Sequence, residues 1–164
     1  IAARGWDGAI AVYDVPENRH ANHILKTSSV PAAIAATTAA AARDIGGQII
    51  AALDYVGVIG IELFVTGSDL VVNEIAPRVH NSGHWTMDAC LVSQFEQHIR
   101  AICGWPLGNP ERHSDVVMTN LIGDEADGFT QRVFVKISPS NVEEVMIVQK
   151  QVTSDDAFDT GVGP

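Results

Sequence analysis

Runs in which hydrophobic and polar residues alternate recur along this chain, and turn-forming residues separate them. Alternation with a period of two is typical of strands that bury one face. It predicts strands at Ile1–Arg4, Ala9–Val15, Val58–Val65, Leu70–Ile75, Val116–Ile122 and Arg132–Ile137. The polar range Pro16–Ser29 lacks this alternation and is predicted to be a loop.

Helical spacing of hydrophobic residues predicts an alanine-rich helix over Pro31–Leu53 and a second helix over Thr86–Gly104. Cys90 and Cys103 both fall in the second helix. Along a helix they would lie about 20 Å apart, which exceeds the reach of a disulfide, so both are predicted to be reduced. Together the elements predict an α+β fold with a mainly antiparallel sheet and flanking helices.

The composition is that of a folded, acidic protein. The chain has 164 residues, of which 46% are hydrophobic, and its net charge is −10. Its Lys and Arg residues are scattered, so no nucleic-acid-binding surface is expected. No hydrophobic run reaches the ~20 residues of a membrane span and no secretory signal opens the chain, so we expect a cytoplasmic protein. The first residue is Ile1 rather than Met, which predicts a portion of a longer protein.

Two glutamates are predicted to face each other across a hairpin. A three-residue loop at Gly67–Asp69 would place Glu62 opposite Glu74, about 5 Å apart at Cβ. A two-residue loop would instead oppose Glu62 to Asn73. Facing carboxylates repel each other unless a cation lies between them. Mg²⁺ is the natural cation because it binds carboxylates together with substrate phosphates, and Mn²⁺ is the other candidate.

The loop that follows this hairpin is dense in polar side chains. Arg78, just past Pro77, can hold a phosphate or a small planar anion such as bicarbonate through its guanidinium group. His80, Asn81 and His84 are candidates for positioning or deprotonating a substrate. The loop therefore predicts anion chemistry beside the two carboxylates.

Other kinds of site are less well supported by the residues. His80 and His84 have the i, i+4 spacing of a zinc pair, but Pro77 and Gly83 oppose the helix that such a pair requires. Serine and cysteine nucleophile motifs do not occur. From its surroundings alone, His20 is interpreted as an ordinary loop histidine.

These motifs resemble those of the N5-carboxyaminoimidazole ribonucleotide synthase family, which belongs to the ATP-grasp superfamily. The resemblance rests on Asp54–Glu62, Asn73–Arg78, His80–Thr86 and Ser93–Glu96. It extends from about Ile1 to Gly123, and His80–Thr86 is its most specific part. It implies the C-terminal part of an ATP-grasp fold.

The resemblance also implies which residues bind the nucleotide and its metal. Glu62 and Glu74 would bind Mg²⁺. Asn73 and Glu74 would lie at the ATP phosphates, and His20 would contact ATP.

A second group of residues would act on the co-substrate. Arg78 and His80, with Asn81 beside them, would hold bicarbonate and the carboxyphosphate made from it by ATP. The implied reaction carboxylates 5-aminoimidazole ribonucleotide to N5-carboxyaminoimidazole ribonucleotide in purine biosynthesis. Family members associate in pairs, which implies a homodimer.

The resemblance divides the chain into two parts. Residues 1–123 correspond to the ATP-grasp portion, and residues 124–164 form an acidic C-terminal segment without the basic run that the family carries there. Two alternatives stay open. The chain would be part of another ATP-grasp ligase or carboxylase, or a catalytically incomplete fragment that serves only as a structural or dimerisation module.

Overall fold

The computed structural model describes residues 1–67, 69–121, 133–137 and 142–148. The strands are β1 (Ala2–Arg4), β2 (Ile10–Val12), β3 (Glu17–Ala21), β4 (Ile24–Val30), β5 (Gly57–Thr66), β6 (Asp69–Ala76), β7 (Asp115–Leu121), β8 (Val133–Ile137) and β9 (Val142–Val148). The helices are α1 (Ala36–Ala52), α2 (Thr86–Ala89) and α3 (Gln94–Ile102), and Asn81–Gly83 forms a 3₁₀ turn.

The strands form two sheets. A four-stranded sheet has the order β2–β1–β5–β6, and a five-stranded sheet has the order β3–β4–β7–β9–β8. All pairs are antiparallel except β7 and β9. Helices α1 and α3 both contact β1 and β5 of the four-stranded sheet. The predicted α+β class with a mainly antiparallel sheet is confirmed.

The range Pro16–Ser29, predicted to be a loop, is a β-hairpin formed by β3 and β4. Its tip is Asn22 and His23, both with positive φ, as a tight two-residue hairpin turn requires. Strand β3 is largely exposed, and one of the buried positions of β4 is a serine, Ser28, whose hydroxyl donates to Asn18 at 2.7 Å. Because polar residues occupy both exposed and buried positions, hydrophobic alternation does not mark these strands.

The single helix predicted over Thr86–Gly104 is wrong, because the chain leaves the helix between α2 and α3. Cys90 is extended there and forms an isolated β-bridge with Arg112. Ser93 then caps α3 by accepting a hydrogen bond from the Glu96 backbone N–H at 3.2 Å. Cys90 and Cys103 lie outside both helices and are free thiols, so their predicted reduced state agrees with the structure.

The core fixes the loop that follows β6. Trp85 is fully buried in a hydrophobic cluster with residues of β4 and β7, and its ring meets Tyr13 edge to face at 6.4 Å. Removing a buried aromatic of this kind costs about 3–5 kcal/mol of unfolding free energy. Trp85 therefore anchors the C-terminal end of the polar loop against the body of the protein.

The acidic segment predicted at residues 124–164 lies outside the described residues, apart from the backbone of β8 and β9. Ile122 and Arg132, at the ends of predicted strands, lie outside them as well. In the part of the chain that the structure describes, no helix is both long and apolar enough to cross a membrane.

Candidate functional site

Glu62 and Glu74 are directly opposed on β5 and β6, as the sequence predicted, but a different feature brings them together. Thr66 pairs with Asp69, so the hairpin loop contains two residues, not three. The register then shifts by one residue between Leu63 and Glu62. A β-bulge adds one residue to one strand, and it therefore has the same effect on all later pairs as a longer loop.

Asn73 is the extra residue of this bulge, because Leu63 pairs with Val72 while Glu62 pairs with Glu74. Its side-chain amide donates to Glu62 Oε2 at 3.4 Å. The bulge thus adds an amide to the two opposed carboxylates and gathers three oxygen-bearing side chains at one place on the hairpin.

These three side chains line a cavity of about 610 Å³. Residues of the β3–β4 hairpin, among them His20, line the same cavity, as does His23 at the hairpin tip. A volume of this size falls within the usual range of small-molecule sites, about 300–1,000 Å³. The structure therefore brings His20, which looked unremarkable in the sequence, to the same cavity as the carboxylates.

His80 lies next to the carboxylates. Its side chain is mostly buried, and Nε2 is 4.0 Å from Glu74 Oε1. On the other side of the ring, the Ser82 backbone N–H donates to Nδ1 at 3.4 Å, and the Ser82 hydroxyl lies 2.8 Å from the same atom. Because a backbone N–H can only donate, we assign the neutral ring a hydrogen on Nε2, which faces Glu74.

The His80 ring sits in an environment that favours its neutral form. Burial lowers the pKa of His80 and is the largest effect. The negative charges of Glu62 and Glu74 act in the opposite direction, and the positive charge of Arg78 acts with burial. The pKa of His80 is therefore below its usual value, so near neutral pH the ring is mainly neutral and its Nε2–H is available as a hydrogen-bond donor.

Arg78 and Asn81 lie on either side of His80 in the chain. Arg78 is exposed and donates to the Val79 carbonyl at 3.0 Å. Asn81 begins the 3₁₀ turn, and its Oδ1 is buried without a hydrogen-bond partner within the described ranges. Ser82 lines the 610 Å³ cavity, whereas Arg78, His80 and Asn81 are not among its lining residues. Of the predicted catalytic residues, His80 is the one that the structure places beside a predicted nucleotide-binding residue, Glu74, at 4.0 Å.

The oxygen donors around Glu62 fit a hard divalent cation. In the described part of the chain, no group of three or more His, Cys, Asp and Glu side chains is arranged to hold a metal. Two carboxylates would leave most coordination positions to water and substrate oxygens, as is usual for Mg²⁺. Zinc fits poorly because it requires three or four protein ligands, and the ring of His84 instead packs at 5.4 Å from that of Phe95.

Sequence reasoning assigned no role to the residues that hold His80 in place. Gly60 of β5 lies under its side chain, Ser82 contacts its ring, and Gln94 bonds to its backbone. A glycine inside a strand is a known sign of close approach by another group, and Gly60 offered that signal. Gln94 offered none, since a glutamine at the start of a helix is usually exposed.

The match of the first part of the chain to a known family decides its classification. The family profile described as the ATP-grasp domain matches residues 1–95. The chain belongs to the ATP-grasp family. Glu62, Asn73, Glu74 and His80 all lie within the matched residues, so the candidate site is part of the ATP-grasp domain.

This ATP-grasp chain is also similar to a named enzyme. It is 59% identical over 128 residues to N5-carboxyaminoimidazole ribonucleotide synthase of Brucella melitensis, a match that covers 77% of this chain and 35% of that protein. The chain spans about a third of the length of the curated relatives it matches.

Solved structures agree with the ATP-grasp assignment. N5-carboxyaminoimidazole ribonucleotide synthetase from Thermus thermophilus matches with a TM-score of 0.73 and 41% identity, over 81% of this chain and 39% of that chain. N5-carboxyaminoimidazole synthase from Aspergillus clavatus, in complex with ADP and 5-aminoimidazole ribonucleotide, matches with a TM-score of 0.73 and 28% identity, over 81% and 39% of the two chains. The ATP-grasp fold predicted from the sequence is confirmed.

Proposed function

We propose that this chain forms the C-terminal part of an ATP-grasp ligase that uses ATP and bicarbonate to carboxylate 5-aminoimidazole ribonucleotide. The observation that carries the proposal is the opposition of Glu62 and Glu74, with Asn73, on a cavity of about 610 Å³ beside His80. The identity to synthases of this class supports the choice of substrate. The ATP-grasp portion is assigned to residues 1–123.

Glu62 and Glu74 hold Mg²⁺ in this proposal, and Mn²⁺ is an alternative ion. When bound, the ion neutralises charge on the ATP phosphates and so aids phosphoryl transfer. Asn73 adds a neutral donor at the same phosphates. His20, which lines the same cavity, contacts the nucleotide.

Bicarbonate is held by Arg78, His80 and Asn81. Its oxygen attacks the γ-phosphorus of ATP, a new P–O bond forms as the bond to ADP breaks, and carboxyphosphate results. The exocyclic amine of the ribonucleotide then attacks the carboxyl carbon, phosphate leaves, and the amine nitrogen loses a proton. The positive charge of Arg78 stabilises the anion, and the Nε2–H of the neutral His80 ring donates a hydrogen bond to it.

The proposed reaction also implies a pathway, a compartment and an assembly for the protein. Carboxylation of this ribonucleotide is a step of purine biosynthesis, a cytoplasmic process, and we propose a homodimer as the assembly. The substrates are all small molecules, and the acidic charge of −10 is unfavourable for nucleic acid.

The test is the substrate dependence of ADP release by the protein that carries this chain. ATP and Mg²⁺ are supplied with ¹³C-bicarbonate and the ribonucleotide, singly and together, and ¹³C NMR follows carbamate formation. We expect ADP and a ¹³C-labelled N-carboxylate in equal amounts only when both substrates are present. ADP release that needs a different amine, or that ignores bicarbonate, would identify another ATP-grasp ligase.

A further inference from the structure

Gln94 is a fully buried residue at the start of α3, and its side-chain amide bonds to both the backbone N–H and the backbone carbonyl of His80. Its Oε1 accepts a hydrogen bond from the His80 N–H at 3.0 Å, and its Nε2 donates to the His80 carbonyl at 2.7 Å. The amide therefore pairs with His80 as a neighbouring peptide group would in a sheet. Such a pair fixes the orientation of the two peptide units that flank the His80 Cα.

The backbone of Gln94 is itself tied to the same loop. Its N–H donates to Thr86 Oγ1 at 2.9 Å, and that hydroxyl donates to the Gly83 carbonyl at 2.7 Å. All of these groups are buried, so water cannot replace a lost bond without reorganisation. These bonds link His80, Gly83 and Thr86 to Gln94, the first residue of α3.

The space around Gln94 leaves little freedom for it to move. A Cβ added to Gly83 would lie 2.5 Å from Gln94 Oε1, so the glycine allows the amide to come this close. On the other side of His80, the absence of a side chain at Gly60 allows the His80 side chain to pack directly against β5. His80 is therefore held between β5 and the Gln94 amide, with Nε2 directed at Glu74.

We propose that Gln94 is a positioning residue that sets the distance between the His80 ring and Glu74. It acts through the backbone of His80 and touches no substrate. The consequence for catalysis rests on the function proposed above, whereas the consequence for the His80 ring does not. The break between α2 and α3 contributes to this positioning, because it brings the Gln94 N–H within hydrogen-bond distance of Thr86 Oγ1.

Gln97 provides a matched control within the same helix. It is also fully buried, and its amide makes the same two-sided pair with a backbone, that of Gly108. Gln97 Nε2 donates to the Gly108 carbonyl at 2.7 Å, and the Gly108 N–H donates to Gln97 Oε1 at 2.7 Å. A general structural effect of losing a buried amide should appear when either Gln94 or Gln97 is replaced. An effect on the His80 ring should appear only when Gln94 is replaced.

The experiment compares Gln94→Met with Gln97→Met by long-range ¹H–¹⁵N NMR of the histidine rings, without substrates. We expect Gln94→Met to shift the His80 ring signals, through loss of the Ser82 contact at Nδ1, and Gln97→Met to leave them unchanged. ADP release supported by bicarbonate should fall by about tenfold or more in Gln94→Met, the order expected for a small misplacement of a catalytic group. It should remain near the parent rate in Gln97→Met.

A second pair of variants tests the same chain of bonds if Gln94→Met does not fold. Thr86→Val removes the hydroxyl that holds Gln94, and Thr86→Ser keeps it. We expect the valine variant to shift the His80 signals and the serine variant to retain the parent spectrum. Unchanged His80 signals in Gln94→Met and Thr86→Val would overturn the proposal. Shifted signals in a protein whose parent releases no ADP would leave the positioning role intact and refute the proposed function instead.

Discussion

Gly60 and His80 are in direct contact, because a Cβ at position 60 would lie 2.6 Å from the His80 Cβ. Real Cβ atoms essentially never approach so closely, so any side chain at position 60 must push His80 away from β5. Gly60 is also two residues from Glu62 on the same strand. The separation of His80 from the carboxylates therefore depends on the absence of a side chain at Gly60.

Gly60→Ala is expected to displace His80 and impair bicarbonate-dependent ADP release while the protein remains folded. Overpacking of this kind costs about 1–3 kcal/mol of unfolding free energy. Gly46→Ala in α1 is the control, since its added Cβ would meet its nearest neighbours at 3.8 Å, an ordinary contact. Urea unfolding and ADP release of both variants provide the check. Parent-like ADP release by Gly60→Ala would show that the position of His80 does not matter.

Arg78→Ala is expected to weaken the use of bicarbonate more than the affinity for nucleotide. Arg78 is exposed and, of the described residues, its guanidinium bonds only to the carbonyl of Val79, so its removal should change the unfolding free energy by about 0.5 kcal/mol or less. Arg19→Ala, at an exposed arginine of β3, is the control. The measurement is the bicarbonate dependence of ADP release beside the Kd for Mg–ADP. Equal rates for Arg78→Ala and parent at limiting bicarbonate would remove Arg78 from the site.

The pKa of His80 is expected to lie below its ordinary 6.5, because burial penalises the charged ring more than Glu62 and Glu74 favour it. The unfolded chain then binds a proton at a higher pH than the folded chain. The stability that neutral His80 provides is accordingly present above pH 6.5 and is lost as the pH falls through that value towards the lower folded pKa. NMR titration of the His80 ring measures this pKa directly. A value at or above 6.5, or a pH dependence of unfolding unchanged in His80→Gln, would refute the prediction.

The opposition of Glu62 and Glu74 shows how far the sequence could predict the site. The prediction used a three-residue loop, while the protein uses a two-residue loop and a bulge at Asn73. Both arrangements add one residue to the same side of the hairpin, so they give identical pairing at the glutamates. The pattern of side chains defined which residues must meet, but it did not define the backbone that brings them together.

Other parts of the site required the tertiary structure. The β3–β4 hairpin has polar residues at both buried and exposed positions, so its sequence resembles that of a loop. The position of His20 at the cavity follows from the pairing of these two strands, which the sequence pattern did not predict. Gln94 pairs with His80, which lies 14 residues earlier in the chain, and this pairing depends on the break between α2 and α3. Local patterns cannot report contacts of this kind, because periodicity describes which face of an element is buried and not which backbone group it meets.

Calorimetric titration with ADP shows whether Glu62 and Glu74 form a metal–phosphate site. The protein that carries this chain is compared with its Glu62→Gln, Glu74→Gln double variant, with and without Mg²⁺. Glu96→Gln is the matched control, because the Glu96 and Glu74 side chains are both 50% exposed. We predict Mg²⁺-dependent binding by the parent and the control, and none by the folded double variant. Binding that survives in the double variant, or a folded parent that binds no ADP, would be incompatible with a metal–phosphate site at Glu62 and Glu74.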